Sequence, residues 1–518
     1  MTSPLPVVRY EFTSDADPDG WTVVTVRARE ALSEVYECAL ELVHDELGTD
    51  PWALLGRPAT LSIFRGGLAR KLHGVAHRVE RLGVVTGRLL VRVYLAPALH
   101  ALSRRVTSRI FQNVTAADVL RDVLAEGLAP FHRTARLDLA RTPAVREYCV
   151  QHRESDLDFV RRLTEEEGIW WYFDHAGDAE VMVLTEAPAG APAVETIDGG
   201  PVAVRGPEAD TATMESIRRV EPVASLDTTS VVARDFDWTR PTLDLTRASR
   251  GADANGMDRE VYDHPAGLTL GPYDAGAKQY TGDDGDDRAR VRRDEFASRA
   301  LRLEGAGYVT AFGVGSTFTL DGHRDEALNR AHLLTRLEVR GENRDELRVD
   351  RGLPWGLHSY SNTFECVASD AAWRAPHRTP RPLIEGPQTA TVVGPADEEI
   401  YTDAHGRIKV QLHWDRVGRR DDKSSCWVRV SQTWSGPAWG FVFIPRVGME
   451  VVVTFLEGDP DRPLVTGCVY NGQNTPPYTL PDEKTRSTLK SNSSPGGGGY
   501  NELRFEDMAG SEEIFVHA

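Results

Sequence analysis

Several patches of this 518-residue sequence hold residue types that could do chemistry. Asp15, Asp17, Asp19 and Gly20, in DADPDG, have the spacing that opens an EF-hand calcium loop. The twelfth position of such a loop needs a bidentate Glu but here is Val26, and the flanks read as strands, so a polar hairpin turn fits better. His405, His413 and Asp415 lie close together, and His413 and Asp415 fall on one strand face. No third ligand stands in register with them, so they read as surface polar residues. The PGGGGY run ending at Tyr500 is rich in glycine, but no Gly-Lys-Ser/Thr follows and no helix opens after it, so the parts of a phosphate cradle are missing. The five cysteines, Cys38, Cys149, Cys366, Cys426 and Cys468, are sparse, far apart and odd in number. They read as free, mostly buried thiols in a reducing compartment, not as a disulfide framework or zinc site. HExxH, GxSxG and CxxC do not occur. A carboxylate pair for sugar hydrolysis has no spacing signature and stays open. The residues thus name no catalytic group, no cofactor and no metal.

Composition narrows the classes further. Net charge is −18, which argues against a broad nucleic-acid surface and against a polybasic membrane contact. The RARVRR run (residues 288–293) follows DDGDD (residues 283–287), so charge nearly cancels there, and a solvated loop or strand edge is expected. The opening MTSPLPVVRYEF has no basic or apolar region of a signal peptide, and no apolar run is long enough for a bilayer-spanning helix.

The elements expected to carry these residues are mostly strands. WTVVTVRA, PATLSIF and GRLLVRVYL alternate through the first hundred residues. In NVTAADVLRDVLAEGL, Thr115 and Asp118 have capping-box spacing, Val114 and Val119 flank it as a hydrophobic staple, and Val119, Leu120, Val123 and Leu124 make one stripe. In ESDLDFVRRLTEEEG, Ser155 is the expected N-cap with Asp158 at N3, and Gly168 ends the helix. Glu165, Glu166 and Glu167 then sit at the negative end of the helix dipole, as a solvated acidic turn or, alternatively, a docking edge for a basic surface. Strands and long loops are expected on to about residue 370. The Pro-rich APHRTPRPLIEGPQ marks a boundary. Residues 389–470 hold the segments EEIYT, RIKVQLHW, CWVRVSQ, GFVFIP, EVVVTFLEG and RPLVTGCVY, with turn glycines between several of them, the pattern of a small barrel of OB size.

The chain closes with NELRFEDMAGSEEIFVHA. Leu503 and Phe505, then Ile514 and Val516, alternate with polar residues as in two half-buried strands. A lone hairpin is marginal in water and its edges invite pairing, so these side chains call for a cover.

YTDAHGRIKVQLHWDRVGRRDDKSSCWVRVSQTWSG and PRVGMEVVVTFLEGDPDRPLVTGCVYN resemble the spike core of the VgrG family of type VI secretion systems. YCVQHRESDLDFVRRLTEEEGIW resembles the family's hub, and the closing stretch the start of its needle. The resemblance implies a mainly β fold with a few helices: β-barrel hub domains, an OB-fold barrel and the start of an intertwined triple-stranded β-helix needle. In this sequence that means a hub-like region with two barrel subdomains and inserted helices at 1–375, a Pro-rich linker at 376–388, an OB-fold at 389–470, a linker at 471–500 and the first needle strands at 501–518. It implies a homotrimer whose core at the needle is Leu503, Phe505, Ile514 and Val516, with Arg504 and Glu506 facing solvent and Phe515 on the other side of its strand. It also implies an Hcp hexameric tube at the hub end, a PAAR-type tip protein at the needle end, baseplate proteins and effector cargo. No nucleic acid is involved, and a target membrane is met only on puncture. The protein would be cytoplasmic before firing and carried out by the secretion machine. The lysozyme domain of phage spikes has no room here. Because the sequence ends in the first needle strands, either a truncated or a short member is expected. A structural, non-enzymatic spike is the reading; the alternative is a peptidoglycan hydrolase with its active site in hub loops.

Overall fold

Alternation of apolar and polar residues builds the first half of the chain. In the Pro58–Arg65 strand, Ala59, Leu61 and Ile63 are buried while their neighbours are half-covered, and Arg9–Ser14 buries Tyr10 and Phe12 in the same way. The computed structural model describes residues 7–17, 20–197, 199–205, 215–268, 271–274, 277–279, 282–343 and 360–518. By its internal contacts the chain divides into two units. The first holds residues 1–106, 114–146 and 155–380; the second holds 107–113, 147–154 and 381–518.

The first unit is organised by a 12-stranded sheet. Its main hydrogen-bonded order is Arg9–Ser14, Pro58–Arg65, Leu68–Val85, Arg88–Ala96, Glu37–His44, Thr22–Ala31, Ala331–Glu342, Tyr360–Ala368, Leu301–Gly307 and Ile217–Ala224. Val202–Ala203 and Thr317–Asp321 attach at the side of Ala331–Glu342. Two separable barrel subdomains are expected within residues 1–375; instead the strands of both parts belong to this one sheet. Thr22–Ala31 pairs with Ala331–Glu342 from Thr25 opposite Glu342 to Ala31 opposite Arg336. The core is correspondingly continuous: Leu40, Val91 and Trp170 belong to the same cluster as Phe312, Leu337 and Phe364.

Three helices stand beside the sheet. In α1 (Ala116–Leu128) the Thr115 hydroxyl accepts the Asp118 N–H at 3.1 Å and the Asp118 carboxylate accepts the Thr115 N–H at 3.0 Å, the expected capping box. In α2 (Asp156–Glu167) Ser155 caps Asp158 at 3.0 Å, and Gly168 turns the chain with φ of 69°. The third, α3 (Gly282–Ala300), stands where a charged loop or strand edge was expected. Its charges are spaced to pair along a helix: Arg290 reaches Asp287 at 2.6 Å and Asp294 at 3.6 Å, and Arg299 reaches Glu295 at 3.5 Å. Few apolar residues mark its inner side, Ala289, Val291 and Phe296 among them, so the periodicity is faint in sequence.

The acidic end of α2 is neither a solvated turn nor a docking edge. Arg146, 1% exposed, donates to Glu166 at 2.9 Å and to Glu167 at 2.6 Å, and Arg288 reaches Glu167 at 3.3 Å. Burial alone would raise the Glu167 pKa, but Arg288, Arg146 and Arg141 outweigh it and hold the carboxyl below its usual range. Glu165 accepts the backbone N–H groups of Arg378 and Thr379, so the start of the Pro-rich stretch is fastened to this helix.

The second unit contains a five-stranded sheet in the order Lys409–Leu412, Gln388–Val393, Glu450–Phe455, Pro463–Val469 and Arg429–Val430. An antiparallel bridge between Ile408 and Val428 joins its two ends, which closes the barrel. Ala390, Val392, Val410, Val451, Val453 and Val465 fill it. Two expected strands are absent: EEIYT and most of GFVFIP run without ladder partners among the described residues. A part of the chain expected to belong to the hub lies in this unit instead. Residues 107–113 and 147–154 are paired strands, and Tyr148 and Val150 enter the barrel core. The Val150 N–H donates to Asp461 at 2.7 Å. Within the expected 376–388 linker, Ile384 is also buried in that core. The expected 471–500 linker contains a strand, Arg486–Lys490.

Candidate functional site

The chain ends in a three-stranded antiparallel sheet, in the order Arg486–Lys490, Glu502–Glu506 and Glu513–His517. Register decides which side chains share a face. Leu503 lies opposite Val516, and Phe505 opposite Ile514. Leu489 lies opposite Leu503, and Ser487 opposite Phe505. Directly opposed residues point to the same side. The four residues singled out in the sequence therefore come together on one face, and Leu489 joins them.

This apolar face is open. Ile514 is 70% and Val516 74% exposed, and Leu489, Leu503 and Phe505 are exposed as well. The polar face, in contrast, is closed. Arg486 pairs with Glu506 at 3.0 Å and Lys490 with Glu502 at 3.7 Å, both directly across the strands. Tyr478 lies over this side: the guanidinium of Arg486 is 5.0 Å from its ring and that of Arg504 5.8 Å, and its hydroxyl bonds Glu502. Arg504 also covers Phe515 at 4.4 Å and reaches Glu513 at 2.6 Å. The expectation that Arg504 faces bare solvent is corrected here, since its side chain is only 16% exposed beneath these rings. The hydrogen bond from Tyr478, with Thr488 and Lys490, holds the Glu502 carboxyl below its usual range. A carboxyl hydrogen bond from Thr485, then Arg486, does the same for Glu506.

Sequence reading missed Leu489 and its strand, although a signal was present. Arg486 and Lys490 are four residues apart, and so are Glu502 and Glu506, which read in the opposite direction as two matched ion pairs. The chemistry this face can do is association. Full burial of one such side chain is worth roughly 1.5–3 kcal/mol, and each is already partly covered, so the five supply on the order of 5–10 kcal/mol per copy at most. Association costs about 4–15 kcal/mol.

The other patches resolve into ordinary structural roles. Asp15 and Asp17 stand in the turn after Arg9–Ser14, where Asp17 accepts the Gly20 N–H at 3.2 Å and meets His44 at 3.1 Å; Asp19 lies outside the described residues. The strand at Lys409 stops at Leu412, so His413 and Asp415 do not share a strand face. His413 meets the Thr389 hydroxyl at 3.0 Å, while Asp415 accepts the N–H groups of Val417 and Gly418. The His405 N–H is accepted by Asp403 at 3.0 Å. Cys38, Cys149, Cys366 and Cys426 are buried and Cys468 is exposed. In the first unit, a cleft beside Arg70 brings Glu30 and His175 together with Tyr172 and Ser316. Glu30 is engaged by Arg70, and His175 accepts the His73 N–H through Nδ1 while burial drives its pKa well down.

Comparison with known proteins agrees with this organisation. Residues 29–345 match the phage tail baseplate hub family, residues 388–470 the type VI secretion system/phage-baseplate injector OB domain, and residues 487–518 the bacteriophage T4 gp5 C-terminal trimerisation domain. The type VI secretion system spike protein VgrG1c of Pseudomonas aeruginosa is 36% identical over 518 residues, covering 98% of this chain and 68% of that protein. The actin cross-linking toxin VgrG1 of Vibrio cholerae is 34% identical over 469 residues, 90% of this chain and 41% of that one. The chain spans 62% to 76% of the length of the Pseudomonas spike proteins it matches. Among solved structures, the E. coli c3393 protein, described as a type VI secretion component similar to T4 tail proteins gp27 and gp5, has a TM-score of 0.57 at 20% identity. That match covers 89% of this chain and 100% of the other. On the strength of its identity and coverage, the chain belongs to the VgrG family of type VI secretion system spike proteins.

Proposed function

We propose that the protein acts as the trimeric central spike of a type VI secretion machine. The carrying observation is the asymmetry of its last sheet: one face is closed by Tyr478 and ion pairs, the other shows Leu489, Leu503, Phe505, Ile514 and Val516 to solvent. A cyclic arrangement of three copies turns those faces onto a shared axis and removes the open edges. The match of residues 487–518 to a trimerisation domain supports this occupant over others. In this reading the first unit seats on the hexameric Hcp tube and contacts baseplate proteins, a PAAR-type protein caps the needle, and effectors ride on the spike. The protein waits in the cytoplasm and leaves with the machine. In the same reading a target bilayer is met only on puncture; among the described residues no helix is long and apolar enough to cross a membrane. In this reading the role is mechanical.

Light scattering of the full chain tests the central claim. A mass of three chains is expected for the wild type, and a mass of one for Ile514→Asp with the fold retained. A wild type that stays monomeric at tens of micromolar would overturn the proposal.

A further inference from the structure

The cleft in the first unit plays no part in association at the final sheet. Its volume is about 290 Å³, at the lower end of ligand pockets, roughly 300–1,000 Å³, so its occupant is small. Its floor holds two donors that are not spent. Arg70, whose side chain is 9% exposed, gives Nη2 to the buried Glu30, while its Nη1 is buried and has no partner among the described residues. His175 accepts the His73 N–H through Nδ1 at 3.1 Å, so its neutral ring carries the proton on Nε2. That nitrogen too is buried without a partner among the described residues. Burial first, then the charge of Arg70, drives the His175 pKa well down, which keeps the ring neutral and places it near the guanidinium. Orphaned donors in a folded protein call for an acceptor.

Charge decides what kind of acceptor this is. Two cations, Arg70 and Lys71, line the cleft against three carboxylates, those of Glu30, Asp174 and Glu195. A plain anion meets that negative excess, and a plain cation leaves the two donors unmet. A small group that carries both signs answers each. Ile63, Leu68, Val194 and Val314 add an apolar wall. We propose that the cleft binds a free α-amino acid with an apolar side chain. Its carboxylate takes the N–H groups of Arg70 Nη1 and His175 Nε2, its ammonium sits among Glu30, Asp174 and Glu195, and its side chain lies on the apolar wall. Neither donor touches solvent, so the carboxylate parts the floor to reach them. His175 opens an exposed stretch, residues 176–178, that leaves room for this movement. Asp174 anchors the stretch by accepting the Ala176 N–H at 3.0 Å. The lining belongs wholly to the first unit, so binding does not depend on the trimer. A ligand held only by the folded state stabilises it, so the bound amino acid strengthens the first unit.

The test is calorimetric titration of the full chain with L-leucine, up to about 10 mM, which reveals even millimolar affinity. Isovalerate, which lacks the ammonium, and isoamylamine, which lacks the carboxylate, are titrated beside it. Two variants report on the place of binding. Ala176→Trp fills the cleft from an exposed position, and Glu195→Lys reverses a charge at its exposed rim. Neither touches the core, and chemical denaturation without ligand checks that both stay folded. Saturable binding of L-leucine, at least tenfold weaker for isovalerate and isoamylamine and for both variants, supports the proposal. Slower hydrogen exchange at residues 174–178 with L-leucine present supports it as well. No saturable binding of L-leucine by the wild type overturns it. So does isovalerate or isoamylamine binding as tightly as L-leucine, or folded Ala176→Trp binding L-leucine as the wild type does.

Discussion

The large sheet of the first unit and the small sheet at the end of the chain follow one rule and reach opposite outcomes. Both alternate apolar and polar residues. In the large sheet the chain supplies its own cover, with Trp170, Phe312 and Phe364 sealed in a common core. At the end of the chain the polar face is the covered one, and the apolar face is open. Alternation therefore says that a face will be buried without saying by which molecule. The cover has to be sought in the state of the opposite face and of the sheet's edges.

The sharpest way to break this comparison is to damage each sheet and ask which measurement responds. The largest effect is expected inside the first unit. Arg146→Ala takes from Glu166 and Glu167 the nearest of their cations, leaving Arg162 beside Glu166 and Arg288 and Arg141 beside Glu167, a loss of up to about 3–5 kcal/mol. Chemical denaturation of the first unit reads it. The sign with pH is fixed by Glu167, whose pKa is depressed in the fold: its contribution is present above the usual carboxyl value of 4.5 and lost as pH falls through the depressed value. The deficit of the variant should therefore shrink in acid. An equal deficit at pH 7 and pH 4 would show that the pairs do not matter as described.

Phe505→Asp is expected next in size. In a trimer it brings three carboxylates into a dry interior, at several kcal/mol unless they protonate. Hydrogen exchange should show protection lost across residues 501–518 and kept across 408–456. Unchanged protection at 501–518 would mean that the face is not buried by other copies. Within one chain the same substitution should cost little, because Phe505 is exposed there. The difference between dilute and concentrated samples is thus part of the prediction.

A smaller effect belongs to the helix whose start was most legible. Thr115→Ala removes one half of the α1 capping box and should cost about 1 kcal/mol. A loss below a few tenths, read by denaturation, would mean that the box is ornamental.

What could be read from the sequence follows from how local each signal is. The capping residues Thr115 and Ser155 and the turn at Gly168 are set by neighbours within a few positions, and they stand where spacing placed them. The alternation of Leu503, Phe505, Ile514 and Val516 is equally local. The failures are tertiary. The Arg288–Arg293 run looked like a solvated edge, because the pairing of its charges along α3 replaces an apolar stripe. The glutamates after Thr164 looked solvated, because the arginine that neutralises two of them, Arg146, lies some twenty residues earlier. GFVFIP has the composition of a strand, but among the described residues 441–445 has no ladder partner, and the side chain of Gln432 bonds the Phe443 backbone instead. The strand at Arg486 was hidden in turn-rich sequence, and only its charge match with Glu502 and Glu506 could have revealed it.

The last and smallest effect concerns acid and the closed face of the final sheet. Glu502 and Glu506 have depressed pKa values, chiefly through hydrogen bonds from Tyr478 and from Thr485. For a carboxyl depressed by folding, the stabilisation is complete above the unfolded value of 4.5 and is lost as pH falls through the lower, folded value. Acidification from pH 6 toward pH 3 should therefore loosen Tyr478 from the sheet and speed exchange at residues 486–490 and 502–506. Both carboxyls lie on the polar face, so the apolar contacts made by Leu503 and Phe505 have no titrating group of their own and should outlast this change. Tyrosine fluorescence is swamped by tryptophan here, so the readout is exchange, compared between wild type and Tyr478→Phe. The variant lacks the hydroxyl that bonds Glu502 and should already exchange faster at pH 6, with a weaker response to acid. Equal acid responses in the two proteins would mean that the face is closed by the aromatic ring and the cross-strand pairs rather than by that hydrogen bond.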